Sequence, residues 1–381
     1  MTRHDVIVVG VGGVGSAATY HLARRGLDVI GLERFDIPHD MGSSHGVTRS
    51  LSLTKSRGPA YVPIAQRALR LWRDLEEESG EQLFHRTGAV RAVPPDGEGH
   101  RGTFDDAIRA CEVHDLPHDV FTGSELNDRF PGFELPADHR VIFQPDGGFL
   151  DPEACITAHV RRAQAHGATV RAREPVHDWQ PIDEGVRVQT GKDTYEADRL
   201  VVAAGSWAAE FVDELEAVAV PERRVMAWLQ PKEPELYLPD SFPVFSIDVE
   251  EGYFYGSPTH RVPGFKFGRR PNIRERVDPD EMPRKTNRQD EEILRAFAER
   301  RLPAGAGPTM RMQACIVTMS PDEGFVIDTH PDHPQVSIAA ALSGSGFHVS
   351  SAVGELLADM ATDSDPAVSP EPFGLDRRQS V

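Results

Sequence analysis

Cysteine is scarce: three residues, Cys111, Cys155 and Cys315, in a chain of 381. Three thiols are too few for a disulfide framework, which points to a reducing compartment, the cytoplasm. Lysine is also short, with five residues against 36 arginines. Positive charge as a whole is in deficit: 41 basic residues face 60 acidic ones, a net charge of −19. Such a surface argues against nucleic acid and anionic membranes as partners. No uninterrupted apolar run is long enough to span a bilayer. The apolar N-terminal stretch has no basic cluster before it and is broken by glycines, so it does not read as a signal peptide. A lysine-poor, acidic surface suits a halophilic cytoplasm, where hydrated carboxylates keep a protein soluble. A GC-rich genome gives the same preference for arginine, and composition leaves both readings standing. No internal repeat is visible. What remains is a globular chain, long enough for two closely packed domains.

One stretch organises that chain, Asp5 to Arg34. The run Val6-Ile7-Val8-Val9 reads as a buried parallel strand. Gly10, Gly12 and Gly15 follow in G-x-G-x-x-G spacing, with Gly13 and Val14 inside the turn. A helix through Ala17, Ala18, Leu22 and Ala23 closes at Gly26, and a second strand, Asp28 to Leu32, ends on Glu33. The first glycine allows the tight turn, the second lets the backbone approach a pyrophosphate, and the third lets helix and strand pack closely. The helix N-terminus offers N–H groups to the phosphates. Glu33 stands 23 residues after Gly10, where an acid bonds a ribose hydroxyl. The pattern specifies an adenine dinucleotide without choosing NAD or FAD.

Two later segments favour FAD. Arg199 to Ala204 reads as a strand, followed by Gly205-Ser206-Trp207 and a helix, which makes a second close approach of backbone to ligand. Val336 to Ala341 reads as another strand, and Gly344-Ser345-Gly346-Phe347 opens a helix through Leu357. Amides at such a turn face something electron-rich. Between these lie a Gly/Ser loop with His45 and Arg49, a helix over Tyr61–Glu78, a strand at Gly88–Val90, a turn at Asp146–Pro152 and a helix over Glu153–His166. Strands follow at Thr169–Arg173 and Gly185–Gln189, with a charged helix at Gln289–Arg300. The expected architecture is α/β. A Rossmann-like FAD-binding domain (residues 1–85, 146–215 and 310–370) joins a discontinuous α+β substrate domain on a mostly antiparallel sheet (86–145 and 216–309). A tail, 371–381, completes it, and the chain from Thr362 onward is expected to pack loosely.

The motifs together resemble the monomeric sarcosine oxidase and N-methyltryptophan oxidase family, within the D-amino-acid-oxidase-like flavoproteins. The resemblance rests on Gly10–Gly15, Gly42-Ser-Ser-His-Gly-Val-Thr-Arg49, Ala203-Ala-Gly-Ser-Trp207, Tyr255-Gly-Ser-Pro258, Lys266-Phe-Gly268, Cys315 with Ser320–Gly324, and Gly344–Phe347. It implies FAD held covalently, through a thioether from Cys315 to the flavin's 8-methyl carbon. It implies that His45, Thr48 and Arg49 line the flavin ring, that Lys266 activates oxygen, and that Tyr255 belongs to the substrate pocket. The implied cofactor contacts also take in Arg34, Ser43, Ser44, Val176, Ala204, Gly205, Trp207, Gly344, Gly346, Phe347 and His348. No metal is expected.

Three positions depart from the family. Ser52 and His348 stand where it places the arginine and lysine that clamp a substrate carboxylate, and Arg270 replaces its active-site histidine. Arg269, Arg270, Lys55 or a protonated His348 are the candidates for receiving an anion instead. The function implied is a FAD-dependent amine oxidase that takes a secondary or cyclic amine to an imine and O2 to H2O2, with the small amine and O2 as partners and a monomer or small homo-oligomer as the assembly. The alternatives are an amine dehydrogenase with another acceptor and a flavoprotein subunit with a structural FAD.

Overall fold

Two eight-stranded sheets face each other across one cavity in the computed structural model, which describes residues 2–54, 58–100, 102–270 and 276–376. The first sheet grows from Thr2–Val9, whose residues are buried from Val6 onward apart from the half-buried edge of its start. Val29–Leu32 and Thr194–Val202 flank it, both parallel. Strands buried on both faces read as continuous apolar runs, and this is why these do. Thr169–Arg171 extends one edge in parallel, and Val336–Ala340 pairs in parallel with the C-terminal half of Thr194–Val202. The hairpin Val176–Ile182 and Gly185–Thr190 pairs antiparallel with the N-terminal half of that strand. Helix Gly13–Arg24 covers the sheet and packs against helices Pro152–Ala165 and Ser350–Ala361. The parallel strands end on the same side, which is where open α/β sheets bind ligands.

The second sheet runs in the order Thr309–Met319, Val220–Leu229, Phe265–Arg270, Gly252–Ser257, Val244–Val249, Ala89–Val93, Arg140–Gln144, Asp119–Thr122. All its pairs are antiparallel except Val244–Val249 with Ala89–Val93. Its two faces differ because side chains alternate along each strand. One set, including Ala227, Leu229, Phe245, Ile247, Phe254, Phe265 and Phe267, packs with Phe297 of helix Arg288–Arg301 into an apolar core. Phe254 and Phe297 stack with centroids 3.7 Å apart. The other set carries Arg224, Ser246, Tyr253, Tyr255, Lys266 and Arg270 toward the cavity, beside the apolar Met226 and Trp228.

Several elements depart from expectation. Thr309–Met319 pairs along its length with Val220–Leu229, so the boundary placed at 310 falls inside a strand of the second sheet. The segment after Ala204 is a short 3-10 turn, Gly205–Glu210, and Phe347–Val349 forms another 3-10 turn before helix Ser350–Ala361. The 146–152 turn contains a three-residue strand, Gly148–Leu150, in a small sheet with Arg49–Leu51 and Phe84–Arg86. Asp151 does start the following helix, its carboxylate accepting the Ala154 N–H at 3.0 Å. The described part of the tail is docked, because Phe373 is fully buried against Tyr61 and Phe325. Among the described residues no helix is long and apolar enough to cross a membrane.

Candidate active site

The cavity has a volume of about 510 Å³ and is lined from the first glycine turn to the polar face of the second sheet. At the glycine end, Gly10 has φ +88°, and a Cβ there would lie 2.6 Å from the Ala203 carbonyl oxygen. A Cβ on Gly15 would lie 1.8 Å from the Gly10 carbonyl oxygen, so Gly15 supports the turn from beneath without lining the cavity. Gly12 differs: nothing but Ser44 Oγ, at 3.9 Å, would approach its Cβ. The space over Gly12 is open, a cradle that any side chain would fill. Gly13 and Val14 line it, and the Gly13 N–H donates to Ser44 Oγ at 3.2 Å.

Glu33 lines this end, accepting N–H bonds from Val11 at 2.8 Å and Phe35 at 3.0 Å. Burial works against its charge, but His39 and those two amides outweigh it and hold the carboxyl below its ordinary range. Arg34 and Trp207 meet at Asp280: the guanidinium donates at 3.0 Å and the indole N–H at 2.9 Å. Ser43, Val176, Ala204, Gly205, Gly344, Gly346, Phe347 and His348 complete the expected lining.

The other end is built by the polar face of the second sheet and the 43–49 loop. Lys266 is 5% exposed and lies between two core phenylalanines in sequence. Alternation turns those rings into the core and the ammonium toward the cavity, where it donates to the carbonyls of Gly46 at 2.8 Å and Thr48 at 2.5 Å. Thr48 Oγ1 and Ser257 Oγ are 2.7 Å apart. Gly268 has a Cβ position only 2.9 Å from Tyr255 Oη, so the phenol occupies the space that glycine leaves. Burial pushes the Tyr255 hydroxyl above its ordinary pKa and keeps it a neutral donor.

Arg49 donates through Nη2 to Ser43 O at 2.7 Å and to Cys315 Sγ at 3.4 Å, while its buried Nε has no partner among the described residues. Cys315 is 1% exposed and lies just behind the cavity wall formed by Val317, Thr318 and Met319. His45 is also behind the wall, bordering a second cavity with Glu153, His39 and Arg34. Neither of its ring nitrogens has a partner. Burial, then the charges of Arg49 and Lys266, push His45 down to about 3, so the imidazole is neutral.

Arg270 lines the cavity, but its charge is committed to a two-point pair with Glu323, one contact at 2.9 Å. It is therefore not available as an anion receptor in the way its sequence position suggests. Ser52 donates to Gln144 Oε1 at 2.6 Å. Arg269 lies off the cavity against Phe254, on the opposite side of the strand, and Lys55 lies outside the described residues. The sequence reading missed Arg224, Tyr253 and Ser246 in the lining and Gln144 behind Ser52. The available signal was the strand pattern Glu222-x-Arg224, two opposite charges on one face of an apolar strand.

Strand, glycine turn, helix and acid, closed by two further backbone approaches, define a dinucleotide-binding enzyme of the α/β class. The chain matches the family model for FAD dependent oxidoreductases over residues 5–360 and belongs to that family. It is 38% identical to a monomeric sarcosine oxidase of Bacillus sp. (strain NS-129) over 380 residues, covering 99% of this chain and 97% of that one. It is 31% identical to an N-methyl-L-tryptophan oxidase of Yersinia pestis (strain Pestoides F), covering 98% and 99%. Among solved structures, NikD, an unusual amino acid oxidase essential for nikkomycin biosynthesis, superposes with TM-score 0.86 at 25% identity, covering 98% of each chain.

FAD fits the residues present. The open cradle over Gly12 and the partnerless Nε of Arg49 are features that a bound dinucleotide with a polar ring system would use. Gly15→Ala is expected to abolish retention: the methyl would overlap the Gly10 carbonyl, and the turn cannot form around it. The check is the 450 nm to 280 nm absorbance ratio of the purified variant, expected to fall at least about tenfold. A ratio equal to wild type contradicts the assigned role.

Proposed function

We propose that this chain is a FAD-dependent amine oxidase acting on a secondary or cyclic amine, an N-methyl amino acid or a relative. The single observation that carries the reading is Lys266, a buried cation tied to the Gly46 and Thr48 carbonyls on the cavity wall beside Arg49. FAD, when bound, supplies the two-electron acceptor that converts the amine to an imine and O2 to H2O2. The protein's own groups do the rest. Glu33 receives the ribose hydroxyls and the Gly10–Gly15 turn the pyrophosphate. Val176, Trp207, Gly205 and the Gly344–Phe347 turn enclose the remainder. Arg49 and Lys266 stabilise negative charge that develops at the reacting end. Tyr255 donates from the substrate side, and neutral His45 adds no positive charge beside Arg49 and Lys266. Cys315, with Arg49 at 3.4 Å, is the point of covalent attachment. Cytoplasmic residence and operation at high salt rest on the cysteine count and the net charge of −19.

The test is anaerobic bleaching of the yellow holoenzyme by N-methyl amino acids, cyclic imino acids and uncharged amines, followed by air. Bleaching by at least one class, and one H2O2 per amine on aeration, is expected. Bleaching without peroxide makes the protein a dehydrogenase with another acceptor. No bleaching by any member leaves a structural FAD.

A further inference from the structure

The cavity wall is charged asymmetrically. Among the described residues, the carboxylates that line it are Glu33, Glu210 and Asp280. Glu33 bonds the first glycine turn, Asp280 bonds Arg34 and Trp207, and Glu210 lies in the electrostatic reach of Asp280 and Arg34, so all three belong to the glycine end. The opposite end is lined by Arg49, Arg91, Arg224, Lys266 and Arg270. Glu222 and Glu323 neutralise two of these, yet neither is among the lining residues; they sit behind their arginines. This end therefore presents cations to whatever enters.

Most of those cations are engaged. Lys266 holds two carbonyls, Arg49 holds Ser43 O and faces Cys315, and Arg270 spends both nitrogens on Glu323. Arg224 is different. It is 5% exposed and meets Glu222 through Nη2 alone, at 2.5 Å. Its Nη1 makes only a long 3.4 Å bond to the Arg223 carbonyl. Glu222 and Arg224 share a strand face by alternation, so the carboxylate braces the guanidinium from one side and orients it. Register sets Arg224 directly opposite Cys315, and Tyr255 lies within its electrostatic reach. A guanidinium held by one edge keeps its remaining N–H bonds in a planar fork, the geometry that receives a carboxylate.

We infer that Arg224, braced by Glu222, is the receptor for a carboxylate on the amine substrate, so that the enzyme selects amino acids over uncharged amines. This rests on the amine oxidase reading above. The carboxylate enters from the side of the Val220–Leu229 strand, while the end of the cavity at Ser52 is neutral through its bond to Gln144. Specificity is thereby set by a residue that touches the anion and takes no part in bond breaking.

The test uses the FAD-loaded enzyme and two probes. Propionate, an anion without an amine, is titrated by its perturbation of the flavin spectrum. N-Methylalanine and its carboxamide are compared in anaerobic bleaching. In Arg224→Met the Kd for propionate and for N-methylalanine is expected to rise about 30-fold, the cost of removing one partner of a buried charged pair, with the carboxamide changing less than about threefold. Arg224→Lys is expected to recover part of the loss. Equal weakening of acid and amide, or an unchanged propionate Kd, overturns the inference. If Arg224→Met does not retain FAD, the wild type decides alone: no preference for the acid over its amide overturns it. Failure of both amines to bleach the wild type counts against the oxidase reading, while the propionate titration still reports on Arg224.

Discussion

Lys266→Met slows the return of the yellow colour in air by about 10² to 10³-fold, while anaerobic bleaching by the amine changes by less than about tenfold. The first electron to reach dioxygen makes an anion, and the cation nearest the reacting end, Lys266, is 5% exposed. A fixed cation there is worth several times its value in bulk solvent, because the surroundings screen it weakly. Lys266 has that position: it is buried, on the cavity face of its strand, and cannot swing away because two loop carbonyls hold it. Methionine keeps the length and removes the charge. It also removes the ammonium donor from the Thr48 carbonyl, while Gly46 keeps the Thr48 N–H at 2.7 Å, a cost of about 1–3 kcal/mol that thermal unfolding of the variant will register. The ratio of the two half-reactions separates the effects. A general loosening of the site slows both, whereas loss of the cation slows only the oxygen step. Equal slowing of the two is the result that removes Lys266 from its assigned role.

Cys315→Ala converts a flavin that stays in the acid-precipitated pellet into one that is wholly released to the supernatant. The geometry is specific to this thiol among the three. Cys111 bonds Gln144 through its sulfur at 3.4 Å and Cys155 is enclosed in helix Pro152–Ala165, whereas Cys315 sits on a strand two residues before the lining residue Val317. Only Cys315 has Arg49 beside it, where negative charge would develop on an electron-poor ring as sulfur attacks. Attachment would break the thiol S–H bond and one C–H bond of the flavin methyl and form the S–C bond, and the two electrons and two protons released would pass to O2 as H2O2. Wild-type protein whose flavin is released by acid contradicts covalent attachment outright. Retention in the Cys315→Ala pellet places the bond elsewhere.

The parts of the site legible in the sequence are those governed by local sterics. Gly10 and Gly15 announce themselves because a Cβ there would lie 2.6 Å and 1.8 Å from a carbonyl oxygen, and Gly12 because the space over it must stay open. Lys266 was legible through the family resemblance, and strand alternation explains its placing, since a lysine between core phenylalanines faces the other way. Illegible were features set by register between distant segments. Arg270 read as a candidate anion receptor because its partner Glu323 is 53 residues away. Residues 310–319 read from position as part of the FAD-binding domain, and only pairing with Val220–Leu229 places them in the second sheet. Phe373 read as part of a loose tail because Tyr61 and Phe325, which enclose it, come from two other segments. Arg224 hid for the same reason, since nothing local shows which strand faces hold the cavity.

The interleaving of the two sheets also fixes a timetable for biosynthesis. The first glycine turn is made within the opening 15 residues, but Ala203 closes over it only after half the chain exists, and Gly344 to His348 come near the end. Neither sheet is a contiguous piece of chain: the second is complete only once Met319 has been made and the first only at Ala340. Such non-local closure is slow and leaves strand edges exposed meanwhile. FAD capture therefore belongs to the finished polypeptide, and a shortage of the vitamin would be felt first by newly released chains, not by the enzyme already in circulation.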